Sequence, residues 1–237
     1  MTTKMVNVKV NGKWDILLPD HRAARPEWTS ETGWEKARLD HINATTKLGD
    51  IVYYVGAEEG DMCGLLAKWG AKLVMFEPNP LVLPNVREIW IANDLPPAGM
   101  FTGFASSKTT DNWEDGLCAD LREIEGDTIS DHGFKNLCEA DGTLPEVKID
   151  DLSESLGSVP DMISIDVEGA EFEVLKGAEK IIDEHHPRIY LSLHPEFLWQ
   201  IYEIYSNDVR QWLRNKGYKE TLLDYMHEVH LVYEYEK

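Results

Sequence analysis

The chain has 237 residues, of which 43% are hydrophobic and 10% aromatic, and its acidic side chains outnumber its basic ones by 43 to 23, for a formal net charge of −20. This length and apolar content predict one folded domain of ordinary size, or one with a cap, and exclude an intrinsically disordered chain. A surface this acidic repels phosphate backbones and anionic lipids, so we expect no nucleic acid partner and no membrane partner. The same acidity also serves solubility, and the sequence does not indicate an oligomeric state.

Cysteine spacing and the start of the chain bear on the compartment. Cys63, Cys118 and Cys138 are odd in number and form no C-x-x-C pair, so they predict neither a disulfide framework nor a zinc cluster. The first residues alternate and carry charge, unlike a secretory leader, and no apolar run reaches the roughly 18 residues of a membrane span. We therefore expect a cytoplasmic protein.

The first 47 residues are predicted to form a cap beside a main domain of residues 48–237. Residues 4–18 alternate polar and apolar side chains on both sides of Asn11-Gly12. This pattern indicates a β-hairpin with a two-residue turn.

A loop over residues 19–30 and a helix over residues 30–46 complete the predicted cap. His21, Arg22 and Arg25 lie in the loop. A solvated surface is the ordinary role of such side chains, and a grip on an anionic group of a substrate is the alternative.

The next stretch has the pattern of a nucleotide-binding βαβ unit. An apolar run of strand length, Ile51–Val55, meets a turn with Gly56 and Gly60, and a helical segment capped by Asp61 leads to a second apolar strand that ends on Glu77. Amides exposed at such a turn attract negative charge, whereas an acid at the tip of the second strand suits a ribose diol.

The residues inside the turn indicate which nucleotide is bound. A dinucleotide fingerprint needs G-x-G-x-x-G, but Ala57, Glu58 and Glu59 separate the two glycines. Two carboxylates face a diphosphate badly and tolerate a cationic ligand such as S-adenosylmethionine, whose sulfonium is positive. Two alternatives stay open: a turn with glycines for steric reasons only, and a nicotinamide-dependent oxidoreductase, which the 21-residue spacing from Gly56 to Glu77 favours.

Residues 100–105 predict a third strand. Ligands of open parallel sheets bind at the carboxyl ends of the strands, which places Ala105 and Ser106 where an adenine would lie. Residues 108–146 are rich in Asp, Glu and Gly and predict an acidic insert or lid. A short strand over residues 147–152 follows.

Asp161–Leu175 carries a second concentration of acids. Its apolar residues predict a buried strand with Asp166 at the tip, followed by a helix over residues 170–184. Asp166, Glu168 and Glu171 therefore cluster around one strand end.

The next strand, Arg188–Leu193, ends on His194. In a parallel sheet this histidine faces the same crevice as Asp166. The whole order of elements predicts an α/β fold, a doubly wound Rossmann-like sheet with a C-terminal antiparallel hairpin and an N-terminal hairpin and helix.

Several stretches resemble the FkbM-type S-adenosylmethionine-dependent methyltransferases: GDIVYYVGAEEGD, VMFEPNP, ASSK, VKIDDL and, most specifically, ISIDVEGAEFEVLKGA followed by RIYLSLHPE. The resemblance covers roughly residues 48–196. It implies a class I methyltransferase fold, S-adenosylmethionine as cofactor, and O-methylation of a hydroxyl on a sugar, glycan or related small molecule.

The resemblance also implies site residues. The methionine end of the cofactor would lie against the glycine turn and Asp166, the ribose on Glu77, and the adenine near Ala105 and Ser106. The turn residues concerned are Gly56, Ala57, Glu58 and Gly60.

Two residues depart from the family pattern. Tyr54 stands where the family usually has Asp, and Glu58 where it usually has Asn. Tyr54 would then hold the methionine portion through its hydroxyl. A cofactor-binding pseudoenzyme is the alternative that these departures leave open.

Asp166, Glu168 and His194 match the strand-end acidic and histidine positions of the family. We expect Asp166 or His194 to be the general base, with Glu168 orienting the acceptor or the histidine. The same three side chains could instead hold a divalent ion such as Mg²⁺, and a metal-free base is preferred.

Overall fold

The computed structural model describes residues 4–30, 32–123, 144–225 and 228–236. Its centre is a sheet of eight strands with helices on both faces. The sheet strands are β3 (Ile51–Val55), β4 (Lys72–Phe76), β5 (Gly99–Phe101), β7 (Leu117–Cys118), β9 (Met162–Ile165), β10 (Arg188–Leu193), β11 (Tyr218–Tyr225) and β12 (Val229–Tyr235). Their order across the sheet is β11-β12-β10-β9-β3-β4-β5-β7. The prediction of a doubly wound α/β sheet with a C-terminal antiparallel hairpin is confirmed.

Strands β5, β4, β3, β9 and β10 run parallel, which their composition explains. Their apolar residues are buried on both faces, as parallel strands covered by helices require. β12 enters antiparallel between β10 and β11. Its first residues therefore lie at the same edge as the carboxyl ends of the parallel strands.

The helices divide the hydrophobic core into two layers. The helices are α1 (Asp20–Ala23), α2 (Lys36–Thr45), α3 (Asp61–Lys68), α4 (Leu83–Ala92), α5 (Ile149–Leu156), α6 (Glu171–Gly177), α7 (Glu179–His185), α8 (Pro195–Tyr202) and α9 (Ser206–Asn215). One face of the sheet is covered by the N-terminal hairpin with α2, α3 and α4, and the other face by α5 to α9. None of the described helices is both long and apolar enough to cross a bilayer.

The N-terminal segment shares the core of the main sheet. Strands β1 (Met5–Val10) and β2 (Trp14–Pro19) form the predicted hairpin, and their Val8, Ile16 and Leu18 are buried together with residues of α3 and α4. Three residues connect the strands, rather than the predicted two, because Val10 pairs with Trp14.

Residues 19–30 differ from the predicted loop. They form α1 and a 3₁₀ turn, Pro26–Thr29, and the buried Trp28 anchors them by donating its indole N–H to the Arg22 carbonyl at 2.7 Å. The loop was predicted because most residues of this segment are polar, and the buried Trp28 among them was not given weight. The following helix begins at Lys36, six residues later than predicted.

The predicted third strand is split. The chain leaves the main sheet after Phe101, and β6 (Phe104–Ala105) pairs with β8 (Glu146–Val147) in a separate two-stranded sheet. Gly103 permits this exit, because a Cβ there would lie 2.4 Å from the Pro145 carbonyl oxygen.

Two further boundaries were predicted wrongly in the second half of the chain. Residues 149–152 are helical, in α5, and not a strand. The long helix predicted over residues 170–184 is interrupted at Ala178, where a new helix start is stabilised because Asp150 accepts hydrogen bonds from the amides of Lys180 and Ile181, each at 3.0 Å.

The predicted insert is described only at its ends. Residues 108–123 return to the main sheet as β7, antiparallel to β5, and contain 3₁₀ turns at Trp113–Gly116 and Leu121–Glu123. Residues 124–143 lie outside the described residues, so the lid stays a prediction. Cys63 is a buried free thiol.

Among the described glycines, Gly56 has the least room for a side chain. Its φ is +86°, and a Cβ would lie 1.7 Å from the Asp166 carbonyl oxygen. We expect Gly56→Ala to reduce the free energy of unfolding by more than about 3 kcal/mol. Gly49 is the matched control because its φ is +90° and its Cβ would meet nothing within 4 Å.

Urea unfolding of both variants measures this difference. Gly49→Ala should cost about 1 kcal/mol, the strain of the left-handed backbone alone. Equal losses in the two variants would show that the contact with Asp166 is not what requires glycine.

Candidate active site

The carboxyl ends of β3, β4 and β9 surround a cavity of about 590 Å³. Residues of the N-terminal segment close one side of it, and the start of β12 contributes Glu228. Eight of the eleven site residues predicted from the sequence line this cavity: Tyr54, Gly56, Ala57, Glu58, Glu77, Ala105, Asp166 and Glu168.

The wall of the cavity is strongly acidic. Eight carboxylates line it, against the two guanidinium groups of Arg22 and Arg25. Phe76, Val82 and Phe104 add apolar side chains to this wall. Such a space suits a ligand that carries both an apolar ring and positive charge.

Glu77 organises the glycine turn. Its carboxylate accepts hydrogen bonds from the amides of Glu58 and Asn79, each at 2.9 Å. Burial raises the pKa of this carboxyl, whereas the two amides lower it. Each oxygen keeps a second lone pair, so Glu77 can fix the turn and still accept from a ligand hydroxyl.

Asp61 does not cap α3, as the sequence predicted. The N-cap is Gly60, and the Asp61 carboxylate instead forms a buried ion pair with Arg22, whose Nε donates to Oδ2 at 2.9 Å. Burial lowers the pKa of Arg22, but Asp61 and the nearby Glu58 have the larger combined effect and raise it above its ordinary value. Arg22 is thus buried and paired, and the expectation of a solvated side chain was wrong.

Arg38 is the largest fully buried charged side chain among the described residues, and its place in the site was not predicted from the sequence. Its side chain is 1% exposed and its Nη1 lies 2.6 Å from Glu35 and 3.0 Å from Asp166, while Nη2 donates to the Ser164 hydroxyl at 2.8 Å. Its guanidinium carbon stands 6.0 Å from the centre of the Tyr54 ring. Helix α2 is thereby connected to the tip of β9.

A signal for Arg38 was present in the sequence. Arg38 and Ile42 are four residues apart on α2, so both lie on the buried face of this helix. Arg38 also follows Glu35 at the spacing of a helical ion pair. Glu228 was missed for another reason, because it joins the site only through the antiparallel direction of β12.

Asp166 lines the cavity, and its two carboxylate oxygens have different partners. Oδ2 accepts from Arg38, and Oδ1 lies 3.7 Å from His194 Nε2. Burial raises the pKa of Asp166 to about 6 against the opposite effect of Arg38, and Glu35 and Glu228 raise it further. This carboxylate is ionised at neutral pH but readily takes up a proton.

His194 lies behind the cavity wall, 6% exposed. Its Nδ1 is 2.6 Å from the fully buried Glu171, and its Nε2 is 2.9 Å from Glu228 and 3.5 Å from Glu168. Burial lowers the pKa of His194, but the contacts with Glu171, Glu228 and Asp166 raise it to about 10. The ring is therefore an imidazolium at neutral pH.

Three of the predicted residues do not reach the cavity. Gly60 supports the turn with φ +85° and packs against Val86, Ser106 pairs through its backbone with Val147, and His194 is covered. Of the adenine-side pair, only Ala105 lines the space.

The imidazolium of His194 makes stability depend on pH. Its pKa of about 10 in the folded protein exceeds the ordinary value of 6.5, so its contribution is complete below pH 6.5 and is lost as the pH rises to 10. We expect the stability advantage of wild type over His194→Gln to shrink over this range, by up to about 1.4 kcal/mol per pH unit.

Denaturant unfolding at several pH values between 6 and 10 measures this advantage. His185→Gln, a change in a half-exposed histidine, is the control and should show no such slope. An advantage independent of pH would mean that the buried ring is neutral.

The sequence model of the family described as "Methyltransferase FkbM domain" matches residues 50–220. No curated protein matches the chain. Among solved structures, the chain is similar to the methyltransferase FkbM of Methylobacillus flagellatus KT, with a TM-score of 0.56 and 18% identity, over 90% of this chain and 51% of that one. This chain thus spans about half the length of that protein.

A second similar structure is the precorrin-6y C5,15-methyltransferase of Geobacter metallireducens GS-15, with a TM-score of 0.51 and 12% identity, over 90% of this chain and 92% of that one. An rRNA methylase of Streptococcus thermophilus has a TM-score of 0.50 and 10% identity, over 84% of this chain and 95% of that one. At these identities the likeness shows the fold, which is the predicted class I methyltransferase fold. With the family match over residues 50–220, the chain belongs to the FkbM family of S-adenosylmethionine-dependent methyltransferases.

Proposed function

We propose that the protein methylates a hydroxyl of a sugar, glycan or related small molecule, with S-adenosylmethionine as methyl donor. The observation that carries this proposal is the Asp166 carboxylate. It lies at the wall of the cavity, is held by Arg38, and has its pKa raised to about 6. A hydroxyl acceptor must lose a proton, and a carboxylate of this basicity can take it near neutral pH.

The residues of the cavity fit S-adenosylmethionine. Glu77 offers its remaining lone pairs to the ribose hydroxyls, Ala105 and its apolar neighbours Phe76 and Val82 suit the adenine, and the acidic wall around Glu58 suits the positive sulfonium. When bound, the cofactor supplies an electrophilic methyl group. Tyr54 lines the same space, and its hydroxyl takes the place of the acid that the family usually has there.

Asp166 is the proposed base, and His194 is a positioning residue. Both ring nitrogens of His194 face carboxylates at 2.6 and 2.9 Å, so the ring already holds the proton that a base would have to accept. Its positive charge favours the ionised form of Asp166 and fixes Glu228. Glu168, with a side chain 68% exposed, is free to orient the acceptor.

The same chemistry argues against a metal ion held by Asp166, Glu168 and His194. Ligand atoms of Asp166, Glu168 and His194 lie within 4.8 Å of one another, but a metal-bound imidazole must be deprotonated. The geometry of His194 favours the proton, so we propose a metal-free base. Turnover should then be unchanged by a chelator and by added Mg²⁺.

The oxidoreductase alternative receives no support from the turn. Glu58 and Glu59 line the cavity where the diphosphate of a dinucleotide would lie. A pseudoenzyme is the second candidate, because Tyr54 replaces an acid of the family pattern. It predicts cofactor binding without methyl transfer.

Glu77→Ala should weaken the binding of S-adenosylhomocysteine about tenfold or more, because the ribose loses its acceptor and two turn amides lose their partner. Isothermal titration calorimetry measures this change. Glu154→Ala, on an exposed face of α5, is the control and should bind like wild type.

Wild type should bind S-adenosylhomocysteine and not NAD in the same titration. Tighter binding of NAD would overturn the assignment of the cofactor.

Asp166→Asn should lower kcat by about 10²–10⁴-fold and leave the affinity for S-adenosylhomocysteine within a few fold. Because the base must be ionised, wild-type kcat should rise with pH through about 6 and then level off. Transfer of radiolabelled methyl from S-adenosylmethionine to a panel of monosaccharides, oligosaccharides and glycosides measures both effects.

Asp208→Asn, in the exposed first turn of α9, is the matched control and should keep wild-type turnover. If Asp166→Asn is as active as this control, Asp166 is not the base. If wild type binds the cofactor but methylates no member of the panel, the result favours the pseudoenzyme over the methyltransferase.

A further inference from the structure

Among the described residues, one guanidinium of the cavity wall, that of Arg25, has no acidic partner. Arg25 lines the cavity, and within residues 4–30, 32–123, 144–225 and 228–236 no carboxylate lies within 4.0 Å of it. Its side chain is only partly exposed. An Arg side chain in so acidic a space would ordinarily be neutralised, so its isolation calls for a ligand.

Aromatic packing holds Arg25 in place. Its guanidinium carbon lies 5.6 Å from the centre of the Trp34 ring, and this cation–π contact restrains the side chain. Trp34 is itself fixed, because its amide donates to Asn11 at 2.6 Å and its ring lies 5.5 Å from that of Trp28. The guanidinium is therefore oriented before any ligand arrives.

The other cations near the cavity are already engaged. Arg22 pairs with Asp61 and lies 3.3 Å from Glu58. Arg38 pairs with Glu35 and Asp166. The charges of Arg22 and Arg38 are therefore balanced within the protein, whereas Arg25 is paired with no carboxylate of the described residues.

We propose that Arg25, stacked on Trp34, is an anion-binding residue of this cavity and binds a carboxylate or phosphate group of a ligand. A planar guanidinium binds either group through two parallel hydrogen bonds. Two sources share this chemistry: the carboxylate on the methionine portion of the cofactor, and an acidic group on the methyl acceptor. The inference rests on the proposed function, in that both sources are ligands of the methyl-transfer reaction.

The experiment compares two nucleosides by calorimetry. S-adenosylhomocysteine carries the carboxylate, and 5′-methylthioadenosine shares the adenosine and sulfur but lacks it. If the cofactor is the source, we expect Arg25→Gln to lower the affinity for S-adenosylhomocysteine about tenfold and the affinity for 5′-methylthioadenosine less than twofold. Arg25→Lys should give an intermediate loss, because the charge stays and the planar pair of donors is lost.

A second arm tests the acceptor as the source. Wild type loaded with S-adenosylhomocysteine is titrated with glucuronate, glucose 6-phosphate and glucose. If the acceptor is the source, one of the charged sugars binds at least about tenfold more tightly than glucose, and Arg25→Gln removes this preference. Arg214→Gln, an arginine of α9 paired with Glu220, is the control in both arms and should behave like wild type.

The outcomes separate the two proposals. If wild type binds neither nucleoside, the proposed function fails. If wild type binds S-adenosylhomocysteine, Arg25→Gln binds it equally well, and the charged sugars show no preference that depends on Arg25, the anion site is overturned. Equal urea midpoints for Arg25→Gln and wild type confirm that an altered affinity does not reflect unfolding.

Discussion

The buried guanidinium of Arg38 is the interaction on which the rest of the site depends. It connects the N-terminal segment to the tip of β9 through Asp166 and Ser164, and it separates two carboxylates, Glu35 and Asp166, that would otherwise repel each other in the core. A buried charge is tolerated only when its partners compensate the loss of hydration. The family domain over residues 50–220 therefore receives part of its site from the segment before it.

Two cations divide the acidic residues of the site between them. Arg38 and the His194 imidazolium alternate with Glu35, Asp166, Glu228 and Glu171, so that negative side chains pack at short distances around the tips of β9 and β10. Both pKa values are raised, but for different reasons. Burial raises the pKa of Asp166, whereas contacts with acidic side chains raise the pKa of His194. The result is one carboxylate near the cavity that exchanges a proton and one ring behind it that keeps its proton.

The sequence allowed the architecture and eight residues of the cavity wall to be predicted, and physical reasons explain why other residues of the site were missed. Apolar runs ending on Gly56, Glu77 and Asp166 mark strand tips, and parallel strands bring such tips together. Contacts between residues far apart in the sequence have no comparable local pattern. The pair of Arg38 with Asp166, 128 residues apart, and the exit of the chain at Gly103 depend on how segments pack, which local periodicity does not encode.

The most recognisable glycine of the family-like stretch, Gly177, serves architecture. A Cβ there would lie 2.0 Å from the Ser106 carbonyl oxygen, so this residue marks the place where α6 rests on the backbone that follows β6. The letters LKGA therefore report how closely two segments of backbone approach each other. Gly177 does not line the cavity, so this motif specifies the packing of α6 and not the chemistry at the tip of β9.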